Sequence, residues 1–472
     1  MRKYRRAFGG HVPGVFVACN DMRKVRPHRA WLATWLLASL IVVPHAAGQD
    51  GGAASPKAGR PVFDLMLLDL RDNVGGQYAY PSMKQALLLT KSFYGVAHEA
   101  LGAAAGDRLW LRILSISLFD VAATYLPPGD SWLHEEWHRS VMNSRGIGSF
   151  NDVYRFRLFA ETIAVSHVKD ADLIRLKRDH PADQVRLAEA GIEGQYALVT
   201  ELEKDAFFRG AQQWHLTTYW LNVANSIYYV WSGATAEADE LTDEMNAQDG
   251  PDVEARDFTG HDFTAWVYDL HRPDEPYEAR GVHPSGVGID RYIRYSDLSG
   301  EEQSFLRLQG RLALLNLLDP NLLGLDGWWV DDAQTWRLGA AVRHYLTSFG
   351  YAVDANAFLR RRLGLFLTAH LYRNAQRWFP GLEAEALELP LMIAGLELRL
   401  DVRSAVWMQP AAQRFRTSAA QAGYLGGLRV SLPVGRHLTI YAEAERKAAG
   451  WVAGNVHLDS ATALRVGLRG GW

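Results

Sequence analysis

From residue 62 to about 232, apolar side chains recur at intervals of three and four, as in PSMKQALLLTKSFYGVAHEALGAA and PADQVRLAEAGIEGQYALVTELEKDAFF. That spacing places them on one side of a helix and predicts five or more helices. The most apolar stretch, 109 to 126, carries Arg112 and Asp120 and stops at Pro127-Pro128, whereas 214 to 231 is aromatic but interrupted by Asn and Thr. Both fit the centre of a helical domain better than a membrane span of about 20 apolar residues. Residues 233 to 300 are rich in Asp, Glu, Gly and Pro and read as a long excursion with little regular structure, and 300 to 318 reads as one more helix.

Beyond Trp336 the period changes to two. In GLELRLDVRS, Leu396, Leu398, Leu400 and Val402 alternate with Glu397, Arg399, Asp401 and Arg403, and similar alternation runs through 363–371, 428–432, 438–444 and 464–472. Alternation of this kind gives a strand one apolar and one charged face. A closing strand that ends on an aromatic residue, here Trp472, resembles the last strand of bacterial outer-membrane β-barrels. The resemblance implies leucines facing lipid, charges filling the interior, and about eight strands between 336 and 472. A water-soluble antiparallel sheet packed on the helices shows the same alternation. Either way the expected fold class is α+β: a helical domain over 62–335, then an antiparallel β domain over 336–472.

Composition supplies the compartment. Arg23, Lys24, Arg26 and Arg29 precede the apolar run AWLATWLLASLIVV (30–43), and PHAAGQD follows, the layout of an export signal occupying residues 1–48. A second MRK at Met22 gives a complete signal without residues 1–21, and 49–61 reads as a small, polar linker. The sole cysteine, Cys19, falls in the segment expected to be removed, so thiolate ligands and disulfides are excluded from the rest. Without residues 1–48 the chain has 42 basic and 52 acidic residues. A net charge near −10 argues against nucleic acid as a partner.

The chemistry concentrates in SWLHEEWHRS (131–140). On a helix, His134 and His138 lie one turn apart and can present two imidazoles to one cation. Two imidazoles and one further ligand hold Zn²⁺ with a position open, and Glu135 is placed to act as general base. Asp130 or Ser131 can cap this helix, and Leu133, Trp137 and Val141 form an adjoining apolar stripe. With 16 His in 472 residues, HExxH arises by chance ~0.03 times. The competing possibility is a half-exposed helix with solvated His and Glu.

The motif resembles that of the zincin metallopeptidases, and in their glutamate-type branch a Glu from a later helix completes the site. The resemblance points downstream to Glu193 in AEAGIEGQY, flanked by Gly191 and Gly194, which cost a helix ~1 kcal/mol each and so imply close packing. Glu161 and His167 are further candidates for the third ligand. Asp120 and Glu136 are candidates to orient the imidazoles, with an ordinary ion pair the equal possibility for Asp120. His261, His271 and His283 fall in the 233–300 excursion, a candidate lid, and HPSGVGIDRY (283–292) reads as a loop, not a phosphate cradle.

The expectation is therefore an exported zinc-dependent hydrolase, a peptidase working on peptide or envelope components in the periplasm or at the outer membrane. Two rivals share these features. One is a non-catalytic outer-membrane barrel with a helical module for assembly or transport; the other is a zinc hydrolase of envelope lipid or glycan.

Overall fold

A computed structural model describes residues 62–71, 80–155, 163–210 and 216–471. The expected signal, the whole of the 49–61 linker, Glu161 and Trp472 lie outside these residues. The chain runs β1 (Phe63–Arg71), α1 (Met83–Ala105), α2 (Leu109–Ala123), α3 (Asp130–Ser144), β2 (Phe150–Asn151), β3 (Val165–Ser166), α4 (Asp170–Asp179) and α5 (Pro181–Arg209). There follow α6 (Leu216–Ser232), α7 (Glu237–Gln248), α8 (Asp262–His271), α9 (Gly300–Leu312) and a 3₁₀ segment over Ala313–Leu318. The remaining strands are β4 (Trp328–Trp329), β5 (Arg337–Thr347), β6 (Gly350–Arg360), β7 (Gly364–Arg373), β8 (Trp378–Ile393), β9 (Leu396–Pro410), β10 (Ala420–Val434), β11 (Leu438–Lys447) and β12 (Ala461–Gly470).

The fold is mixed, helices followed by an antiparallel sheet, as the change of period predicts. In detail it departs from the expectation. The sheet has ten strands in the order β1-β12-β11-β10-β9-β8-β7-β6-β5-β4, and its two outer strands do not pair with each other, so it is not closed into a barrel. Eight of these strands, β5 to β12, fall within 336–472 as expected, and two, β1 and the short β4, come from the region expected to be helical. In β1, Asp64 and Asp69 point inward and Leu68 and Leu70 outward, but an irregularity between Met66 and Leu68 shifts the phase and hides the period of two.

Pairing registers show what the alternation builds. One lateral row crosses all ten strands, through Leu70, Leu464, Ala444, Leu428, Val402, Ala386, Leu365, Leu359, Leu338 and Trp328. Every member is apolar, and those at the two ends, Leu70 and Trp328, are exposed. The neighbouring row on the other face reads Asp69, Arg465, Glu443, Arg429 and Asp401, with signs alternating strand by strand. These charges are paired: Arg465 reaches Asp69 at 3.0 Å and Glu443 at 2.6 Å, and Arg429 reaches Glu443 at 2.8 Å. Buried ions persist only when so compensated.

Helix α5 is the strut inside this sheet. Its 29 residues span ~43 Å, start at Pro181 and end at Gly210 in the left-handed conformation that stops a helix. Its C-terminal half faces the sheet, with Lys204 on Glu385 at 2.6 Å and the carbonyls of Phe207 and Phe208 accepting from Arg337 and Arg360. Polar side chains of α1, α5 and the strands line an interior cavity of about 220 Å³. The N-terminal half of α5 belongs to a separate apolar core with α3, built on Trp132, Leu133, Trp137, Leu187 and Ala190.

Candidate metal centre

Helix α3 starts after the extended Gly129 and is buried from Trp132 to Met142, so the HEEWH face is interior rather than half solvated. His138 has its Nδ1 2.6 Å from the carbonyl oxygen of Leu187 on α5. A carbonyl only accepts, so Nδ1 carries the proton and Nε2 presents its lone pair inward. His134 turns its own Nε2 to the same point. Opposite both stands Asp262, the first residue of α8, with Oδ2 3.0 Å from Nε2 of His134 and 3.4 Å from Nε2 of His138. Tetrahedral Zn²⁺ with bonds of about 2.0–2.1 Å spaces its ligands ~3.3 Å apart. Among the described residues this trio is the one group of His and carboxylates that converges closely enough to hold a metal ion.

Space has been kept at that point. A Cβ on Gly191 would lie 2.3 Å from Nε2 of His134 and 2.4 Å from Nε2 of His138, closer than atoms tolerate. Gly194 lies against the Trp137 ring, where a Cβ would stand 3.0 Å from its atoms. The glycines flanking Glu193 therefore do have a packing reason, as their cost inside a helix implies. The reason is approach of α5 to the ligand helix.

Glu193 itself is not brought to the imidazoles. Its carboxylate accepts from Arg186 at 2.8 and 2.9 Å and from the Gly454 backbone N–H at 2.8 Å, tying α5 to the β11–β12 connection. The third group is Asp262, 128 positions from His134. The sequence does hold a signal for the helix, since Phe263, Trp266, Val267 and Leu270 recur at intervals of three and four inside the stretch read as irregular, but that spacing marks α8 and not Asp262 as a ligand. His167 also stands apart from the centre, with its Nε2 2.7 Å from Arg155, and Glu161 is outside the described residues. Asp120 pairs with His98 and accepts from Thr218, while Glu136 is held by Arg139 and Asn151. Neither orients the imidazoles.

Electrostatics follow from burial and proximity. Burial drives the His134 imidazole below its usual range, against the pull of Asp262. Burial also works against charge on His138, but Asp262 beside it raises the group to about 9. Asp262 is buried, yet the two imidazoles hold it well below the ordinary carboxylate range. Glu135, next to His134 on the helix, is pushed far up by burial, partly offset by His138 and reinforced by Asp257 and Asp262. Among the described residues no ion pair occupies the Glu135 carboxyl. Asp257, raised to about 7 by burial and then by Asp262, borders the same space, and the Tyr229 ring stands 5.7 Å from that of His134.

The donor set fits a divalent cation: one carboxylate and two imidazole nitrogens, His138 giving up to the cation the proton that Asp262 otherwise holds on it, anchored on two helices with the Glu135 carboxyl at the adjacent position. No family profile matches the chain, and no curated protein matches it.

Proposed function

We propose that this chain is an exported zinc-dependent hydrolase of the cell envelope, and that its substrate is a peptide. The observation that carries the reading is the convergence of His134, His138 and Asp262 on one point, beside Glu135 and under the side-chain-free surface of Gly191. Zn²⁺ held there supplies Lewis acidity and brings the pKa of water down to about 7. Glu135, next to His134 on the same helix, takes the proton from the attacking water and returns it to the leaving amine. Leu187 fixes the His138 tautomer, and burial excludes bulk water.

The test is metal analysis of purified wild type beside His134→Ala, Asp262→Ala and Glu135→Gln, paired with hydrolysis of a broad peptide library. One zinc per wild-type chain is expected, none in the first two variants, and full zinc with turnover lowered ~10²–10⁴-fold in the third. Equal metal content in all four would overturn the proposal. Full zinc with no peptide cleaved would turn it towards envelope lipid or glycan.

A further inference from the structure

The outward face of the sheet is apolar and exposed, with Leu382, Val406 and Leu464 each more than half accessible, while the inward face carries the paired charges. That is the reverse of a sheet whose open face meets water. Along β10 the outward positions run from Tyr424 to Val434 without a charge. Ten residues at ~3.3 Å, tilted by the usual ~40°, rise ~25 Å, the height of the apolar band on outer-membrane barrels. At the α8 end, outward Trp378 lies beside Arg373, whose guanidinium is 5.5 Å from its ring. Aromatic and basic side chains together mark a membrane–water boundary.

An open sheet cannot sit in hydrocarbon unless the polar groups on its edges are satisfied. Here both edges carry such partners. On β1, the Ser92 hydroxyl of α1 accepts from the Asp64 N–H at 2.8 Å and donates to its carbonyl at 2.9 Å, and Gln85 donates to the Met66 carbonyl. On β5, which β4 covers only at Arg337 and Leu338, Asn316 accepts from the His344 N–H at 2.7 Å and donates to its carbonyl at 3.2 Å. The gap between these edges is filled by a succession of packed elements: β1 on α1, α1 on α2, α2 on α6, α6 on the Ala313–Leu318 segment, and that segment on β5. Their outer surface continues the apolar face, with Trp110 and Leu118 of α2 at 64% and 55% exposure and Leu314 and Leu318 at 53% and 63%. No described helix is long and apolar enough to cross a membrane alone. The belt is a property of the assembled surface.

We infer that the described part of the chain is embedded in a lipid bilayer as one cylinder, part sheet and part helix, with Ser92 and Asn316 sealing the two sheet edges against the helices that complete it. The occupant of the belt is hydrocarbon, because the uncharged surface runs across strands and helices alike and, on the sheet, ends where Trp378 stands beside Arg373. This inference stands independently of the peptidase reading.

Spin labels test it in the full chain with Cys19→Ser, reconstituted in dilauroylphosphatidylcholine vesicles. Labels go at Leu464→Cys on β12, Leu118→Cys on α2 and Ser460→Cys before β12. The expected result is strong relaxation by oxygen and weak relaxation by a water-soluble nickel chelate at 464 and 118, and the reverse at 460. An aqueous signal at 118 with a lipid signal at 464 overturns the part-helical belt. Aqueous signals at both, or failure of the labelled chains to float with vesicles, overturn the embedding altogether and favour an apolar protein partner. Asn316→Leu, which keeps bulk but strips the His344 edge, should lower the urea midpoint in vesicles; an unchanged midpoint removes the sealing role. Zinc content, measured on the same samples, reports separately on the metal centre.

Discussion

Gly191 faces His134 so closely that the α-hydrogen side of α5 forms one wall of the candidate metal centre. Alanine in a helix interior is normally ~1 kcal/mol better than glycine. Gly191→Ala should do the opposite of what propensity dictates and lose zinc, because the new methyl falls between the two Nε2 atoms. Zinc stoichiometry and far-ultraviolet circular dichroism on the same sample check this; full zinc with raised stability would contradict the geometry.

Asp262 and Glu193 separate ligand from scaffold. Glu193→Gln leaves Arg186 buried with a neutral partner, and breaking such a pair costs about 3–5 kcal/mol. The expected outcome is a lower denaturation midpoint with the zinc content intact in the folded fraction. Asp262→Asn should show the converse, with metal affinity reduced and the fold retained. Chemical denaturation and metal titration on both variants distinguish the roles.

Asp130, at the start of α3, supplies a pH dependence away from the ligands. Burial raises it to about 7, with the Asp120 charge adding to the rise and the nearby polar groups of Asn222 and Tyr94 opposing it. The folded chain thus holds this proton more tightly than the unfolded one, whose carboxyl titrates near 3.8. Its contribution is complete below that value and disappears as pH rises through about 7. Three pKa units bound it at ~4 kcal/mol, and attraction of the charged form to the helix N-terminus reduces it by up to ~1 kcal/mol. Thermal melts at pH 5 and pH 8 should converge in Asp130→Asn relative to wild type; an identical pH response in both would sink the assignment.

The two faces of β11 should respond oppositely. Glu443 is shared by Lys84, Arg429 and Arg465, so Glu443→Ala leaves three cations around one vacated position and should destabilise by about 3–5 kcal/mol. Ala444, the next residue, points outward, and Ala444→Leu should change stability by no more than ~0.5 kcal/mol. Urea denaturation in detergent compares them.

What can be read from sequence follows from how local each signal is. His134 and His138 are one turn apart on a single helix, and Leu396, Leu398, Leu400 and Val402 of β9 alternate with charged residues, so both features appear within a window of ten residues. Asp262 has no such window, because it lies 128 positions from His134, and the stripe of Phe263, Trp266, Val267 and Leu270 beside it marks a helix without marking a ligand. β1 is disguised by its irregularity at Met66 to Leu68. The glycines around Glu193 give a correct physical signal, close helix approach, whose beneficiary is the histidine pair on the facing helix. The role of α1, α2 and α6 in completing the cylinder depends on which elements become neighbours, which no single segment encodes.

The pairing of β1 with β12 joins positions almost 400 residues apart, as in the contact between Asp69 and Arg465. Contacts of such separation form slowly, since a large loop must close before they repay its entropy. The ligand helices are threaded between these two strands. Assembly is therefore ordered by topology: His134 and His138 are made early, whereas the sheet is complete only once the last-made strand docks beside the first.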